Sequence, residues 1–232
     1  MKTKNLMITL VIVVPFLITS TINAQTNMND KMTRNDGMNK GNHDHAGMMP
    51  DIKSWPEASR MAAEEMMGKY GKPDAMGAEV LAWMDKGNWK TIHVSKKESK
   101  HSFPIEHTDM MEQCISYKVP TDKMDELGVF DGSITFDRTQ GLMCARCDKE
   151  GNNLLALNLA NDIVTGKKSV DQARKEYGDI VKEKMNGGNP TYMQKLSFSP
   201  QNNVGDPDQN TTGLSKEDVM KGMKRATGEQ SK

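Results

Sequence analysis

Charge of one sign is missing from this chain: 31 lysines and arginines face 31 aspartates and glutamates. So even a balance leaves no basic footprint for nucleic acid, and no basic run supplies one locally. Cysteine is scarce, at three residues. That is too few for a disulfide scaffold, yet enough for one bridge with a thiol left over, or for a shared metal. GxSxG, a Walker loop and GxGxxG are also absent, so common hydrolase, nucleotide and dinucleotide chemistry has no support. A binding protein is favoured over an enzyme. Only one long apolar run exists, and it lies at the start.

That run, Leu6 to Ile18, is broken only by Thr9 and Pro15, follows Lys2 and Lys4, and precedes the small, polar stretch Ser20 to Ala24. This is the layout of a secretory signal, and the run is too short to span a bilayer comfortably. Cleavage after Ala24 would remove two lysines, for a net charge near −2. The expected product is periplasmic or secreted, with no membrane span once the signal is gone.

Methionine is plentiful instead, at 20 residues against five phenylalanines. Met28, Met32, Met38, Met48 and Met49 cluster in residues 25–50, together with His43 and His45. This segment has no aromatic and no β-branched aliphatic residue, so it cannot bury enough surface to offset chain ordering; a disordered arm over 25–51 is expected. Thioether sulfur is a soft ligand that needs no deprotonation, which suits Cu(I) and Ag(I), and imidazole adds affinity. The HDHAGMM piece resembles the HxxM and MxxH spacings of exported copper- and silver-binding segments. Its implied cargo is a copper or silver ion, and its implied partner a metal-handling envelope protein.

Order is expected from about residue 52 to 199. Ser54 with Glu57 has capping-box spacing ahead of a helix carrying Ala58, Ala62, Met66 and Tyr70. Val80–Met84 and Trp89–Val94 read as strands around a turn at 85–88, and residues 95–109 as a polar loop or irregular edge. Met111–Val119 is a further strand. Thr121–Leu127 reads as a short helix stopped by Gly128. Ser133–Arg138 and Leu142–Cys147 form the clearest hairpin. Helices follow at Asn153–Val164, with Leu155, Leu159 and Ile163 in one stripe, and at Ser169 to about Met185, where Ser169 and Gln172 make a second capping box. Tyr192–Phe198 is a candidate last strand. Beyond Pro200 come a linker and a short helix or tail at 215–227. The order predicts an α+β domain: a small, mostly antiparallel sheet with helices packed on it.

The blocks PEASRMAAEEMMGKYGKPD, HSFPIEHTD, FDGSITFDRTQG, ARCDKEGNNLLALNLANDIVTGK and SVDQARKEY resemble a group of uncharacterised exported or envelope-associated bacterial proteins over about residues 55–180. The resemblance implies a single domain and transfers no residue role.

Three constellations remain. Cys144 and Cys147 form a CxxC that closes a strand instead of opening a helix, so alternation separates their faces. A thiol-redox pair is the alternative to a disulfide in which Cys114 takes either partner. His101, His107 and Asp109 offer two imidazoles and a carboxylate, enough for a metal site with an open position, or for a loop that contacts a ligand or protein. Asp131, Asp137, Asp148 and Glu150 bracket the hairpin and are expected to be solvated.

Overall fold

The computed structural model describes residues 50–202 and 204–227, all within the second of two compact units, Ala46–Lys232. Met28, Met32, Met38, His43, His45, Met48 and Met49, with the signal and arm expectations, lie outside the described residues. Described elements run α1 (Glu57–Tyr70), β1 (Ala75–Met76), β2 (Val80–Lys86), β3 (Trp89–His101), β4 (His107–Ser116), α2 (Met124–Phe130), β5 (Ile134–Asp137), β6 (Leu142–Cys147), α3 (Glu150–Val164), α4 (Val170–Met185) and α5 (Lys216–Thr227). The six strands make one antiparallel sheet in the order β1-β2-β3-β4-β6-β5, and the fold is α+β. Among the described residues, no helix is long and apolar enough to cross a membrane.

α3 is buried almost all round, which marks a helix enclosed by the fold instead of lying on it. Leu155, Leu159 and Ile163 are fully buried. α1 and α3 cover the same sheet face, because Gln113 of β4 touches Met66 of α1 and accepts a bond from Asn153 of α3. α4 packs on α3 through Ala173 and Tyr177. Its capping box forms: Ser169 accepts from the Gln172 N–H while Gln172 accepts from the Ser169 N–H.

Several local expectations need correction. α1 is preceded by Pro56, without a side-chain cap from Ser54, and its buried stripe is Ser59, Ala62, Ala63 and Met66; Ala58 is exposed. Residues 95–101 belong to β3, with an irregularity in its pairing to β4 between Val94 and Ser99, and β4 starts at His107. Their polar composition hid the strand because that stretch is only half-buried. α2 runs through Gly128 to Phe130, since Leu127 and Phe130 bury into the core across it. Tyr192–Phe198 is not a strand; it begins in a 3₁₀ turn at Thr191–Met193, and Asn158 of α3 binds the carbonyls of Tyr192 and Lys195.

The segment after Pro200 is tied down at its start. Gln201 donates its N–H to Ser116 O at 2.8 Å and accepts from the Lys118 N–H at 2.8 Å. Arg138 reaches Asp208 at 2.6 Å. Val204 crosses so close to Gly141 (φ +66°) that any side chain there would collide with it.

Candidate metal centre

Sheet register assembles the site. His101 of β3 lies directly opposite His107 of β4, and Ser99 opposite Asp109. Cys147 of β6 lies opposite Met111 of β4. Opposed residues share a face and alternate residues along a strand return to it, so His101, His107, Asp109 and Cys147 all project from the helix-covered face. Cys114 and Cys144 are also opposed, on the other face, and are joined as a disulfide. Cys147 is the free, buried thiol. The CxxC therefore divides its sulfurs between the two sheet faces, and Cys144 is bonded to Cys114 instead of Cys147.

The two imidazoles are each oriented from behind. His107 Nδ1 lies 2.8 Å from Ile105 O; a carbonyl can only accept, so this nitrogen carries a proton. His107 Nε2 then faces Asp109 Oδ1 at 3.0 Å and Cys147 Sγ at 3.3 Å. His101 Nε2 points at Asp131 Oδ1, 3.5 Å away, and its Nδ1 lies 3.4 Å from Asp109 Oδ2 and 3.0 Å from Ser133 Oγ. Ser133 donates its hydroxyl to Asp109 Oδ2 at 2.6 Å. Facing donor atoms of His101, His107 and Asp109 all lie within 4.8 Å of one another.

Asp109 is 2 % exposed, yet its Oδ1 has no hydrogen-bond partner. A proton on His107 Nε2 is aimed elsewhere, so the attraction across 3.0 Å is electrostatic without an aligned bond. It is still strong. Asp109 is the main cause that pushes His107 up to about 11. Burial raises the Asp109 carboxyl, but His107, Ser133 and His101 together hold it below the ordinary value. Burial pushes Asp131 up, opposed by the Ser133 N–H. Burial likewise raises the Cys147 thiol. A cleft of about 170 Å³ lined by Pro104, Ile105, His107, Cys147, Asp148 and Tyr177 leads to the site.

No family model, curated protein or solved structure matches the chain. Nothing in these comparisons bears on the resemblance expected over residues 55–180, and none supplies a role for a residue of the site.

Sequence reasoning named His101, His107 and Asp109 but separated them from Cys147, Ser133 and Asp131. Asp131 and Glu150, expected to be solvated, are both buried. Glu150 accepts from Trp89 Nε1 at 2.7 Å and Gln113 Nε2 at 3.3 Å, and is also bonded by Tyr70 and Lys69. A second cluster of ligand-type residues, Glu112 with Cys114 and Cys144, has both sulfurs committed to the disulfide, which removes them as thiolate ligands. His93 stands apart from the site, 3.9 Å from Glu112.

Proposed function

We propose that this chain is an exported, periplasmic or secreted, metal-handling protein whose folded domain holds a divalent ion between His101, His107 and Asp109. One observation carries the reading: two imidazoles, held from behind by Ile105 O and Asp131, turn their inner nitrogens on a buried carboxylate whose Oδ1 meets His107 Nε2 at 3.0 Å without an aligned hydrogen bond. A carbonyl or carboxylate behind each ligating histidine is the usual outer arrangement of metal sites, because it fixes the ring and raises its basicity. Metal bonds of about 2.0–2.1 Å at a tetrahedral angle place N and O ligands about 3.3 Å apart; the 3.0 Å between Nε2 and Oδ1 is close to that edge. A bound ion would be held by His107 Nε2, His101 Nδ1 and Asp109, and would take the place of the imidazolium proton as the positive partner of Oδ1.

The Met/His arm supports the same role from the sequence side. Its thioethers favour copper or silver, in the +1 state, whereas imidazole and carboxylate on the domain favour a borderline divalent ion. Capture by the arm and retention by the domain are thus chemically separate, and the natural partner is a metal ion or a metal-handling envelope protein.

Titration of the full-length mature chain beside a version lacking residues 25–50 tests both parts. Both proteins should bind one zinc ion, lost in His107→Ala and Asp109→Ala. Only the full chain should compete with a Cu(I) chelator in addition. Failure of the full chain to bind zinc or cobalt(II) would end the domain-site reading, and equal Cu(I) uptake by both would end the role of the arm.

A further inference from the structure

Both imidazoles stand at the far end of the β3–β4 hairpin, on either side of residues 102–106. The tip of that turn, Ile105, is 68 % exposed and so contributes no anchoring burial. Asp131 and Ser133, which face His101, come from another place, the connection between α2 and β5. These two pieces of chain must be fixed against each other for the donors to converge. We infer that Arg174 of α4 is the positioning residue that does so, clamping the hairpin end to the end of α2 and thereby setting the imidazoles around Asp109; this rests on the metal reading proposed above.

One guanidinium touches both pieces. Arg174 Nη1 donates to Val129 O at 3.1 Å and to Phe130 O at 2.6 Å. These carbonyls belong to the last turn of α2, where the helix supplies no N–H of its own and a cation is favoured. Phe130 runs directly into Asp131. The same guanidinium lies over the Phe103 ring, 4.1 Å from its centroid, a cation–π contact that gains strength where water is excluded. Phe103 follows His101 by two residues. Its ring also packs against Phe130 and Tyr177, with centroids 6.1 and 5.0 Å away. α4 supplies Arg174 and Tyr177 at i and i+3, so one side of that helix presents both.

The chemistry calls for arginine. A planar guanidinium stacks on a ring while its edge donates to carbonyls, whereas an ammonium is a point charge without a plane. Arginine also has no acceptor atom to offer a cation. Its part is therefore to hold the backbone that carries the ligands, acting through Phe103 on one side and Phe130 on the other.

Arg174→Lys in the full-length mature chain is the test, read by zinc titration and by the visible ligand-field spectrum of bound cobalt(II). Zinc affinity should fall ~10–100-fold, the range for losing an outer partner, and the cobalt spectrum should change with the altered placing of the imidazoles. Lowered stability by itself does not produce this: Leu159→Ala should keep the wild-type affinity and spectrum. In Arg174→Ala, millimolar methylguanidinium should restore affinity and methylammonium should not. Phe103→Leu removes the ring but keeps apolar bulk, and it carries the test alone where the arginine variants fail to fold. It should weaken zinc binding to a similar degree, and adding Arg174→Lys to it should cost little more, because the two residues share one contact. Wild-type affinity and spectrum in both Arg174→Lys and Phe103→Leu would overturn the clamp and leave the three-residue site standing. A wild-type chain that binds neither zinc nor cobalt would overturn both.

Discussion

Glu150 and Asp109 are carboxylates buried on the same helix-covered face of one sheet, and they are served in opposite ways. Glu150 starts α3 and is enclosed by donors: Lys69 and Tyr70 from α1, Trp89 from β3, and Gln113 from β4. Asp109 receives one hydroxyl, from Ser133, and its second oxygen faces imidazole nitrogen without an aligned proton. A carboxylate whose lone pairs are filled by donors from three separate elements acts as a structural pin, since each donor would be stranded by its loss. One left partly empty between two imidazoles is, on the proposed reading, arranged for a cation. Burial alone does not distinguish the two; the identity of the neighbours does.

The largest expected effect falls on the saturated member. Glu150→Ala should lower unfolding free energy by about 3–5 kcal/mol, since Trp89, Tyr70 and Gln113 lose their shared acceptor and each stranded donor costs about 1–3 kcal/mol. Urea denaturation measures this, and zinc affinity should be unchanged. A zinc defect in this variant would break the distinction drawn between the two carboxylates. Leu159→Ala, a deletion in the apolar core itself, should cost ~2–5 kcal/mol and calibrates the first value.

A smaller effect is expected at the outer partner of the metal site. Asp131→Asn should leave the fold in place and weaken zinc binding by about 10–100-fold, through the loss of the carboxylate behind His101. Isothermal titration decides it. An unchanged affinity would mean that His101 is not oriented by Asp131.

The two regions should also answer pH with opposite signs. Burial raises Glu150, but bonds from Lys69, Tyr70 and Trp89 outweigh it and hold the carboxyl below its ordinary 4.5. Its contribution is present above that value and is lost as pH falls through the lower folded one. His107 is raised from 6.5 to about 11; its contribution is complete below 6.5 and is lost as pH climbs towards 11. Thermal melts of the metal-free protein should therefore soften at both ends, the acid limb in a way that Glu150→Gln reduces and the alkaline limb in a way that His107→Gln reduces. Zinc affinity should rise with pH, about tenfold per unit for each proton displaced. The smallest change should come from removing residues 25–50: the melting temperature of the domain should stay the same, because that stretch has no aromatic and no β-branched aliphatic residue to offer a core.

Much of the fold was legible because it is locally written. Ser169 and Gln172 announce α4 within one turn, and the Leu155–Leu159–Ile163 stripe marks α3 by its own period. The far half of β3 was not legible, since Ser95 to His101 is polar and finds its strand identity only by pairing with β4. The site shows the same division. His101, His107 and Asp109 are near in sequence and stood out together. Cys147, Ser133 and Asp131 reach them through β4–β6 register and the turn before β5, neither of which spacing reports. Glu150 offers one local signal, an acidic residue in the first turn of a leucine- and alanine-rich helix.

The Cys114–Cys144 bridge has a bearing on how the protein is made. It couples β4, which supplies His107 and Asp109, to β6, which supplies Cys147, three residues beyond Cys144. A chain synthesised in a reducing cytoplasm lacks this bridge, although the register of the folded sheet still sets Cys114 beside Cys144 and turns Cys147 to the other face. Oxidation before the strands pair can instead capture Cys147 in a bridge and take its sulfur away from His107. Material passed through an export pathway and material oxidised on the bench are therefore different samples, to be distinguished by peptide mapping before any assay is compared between them.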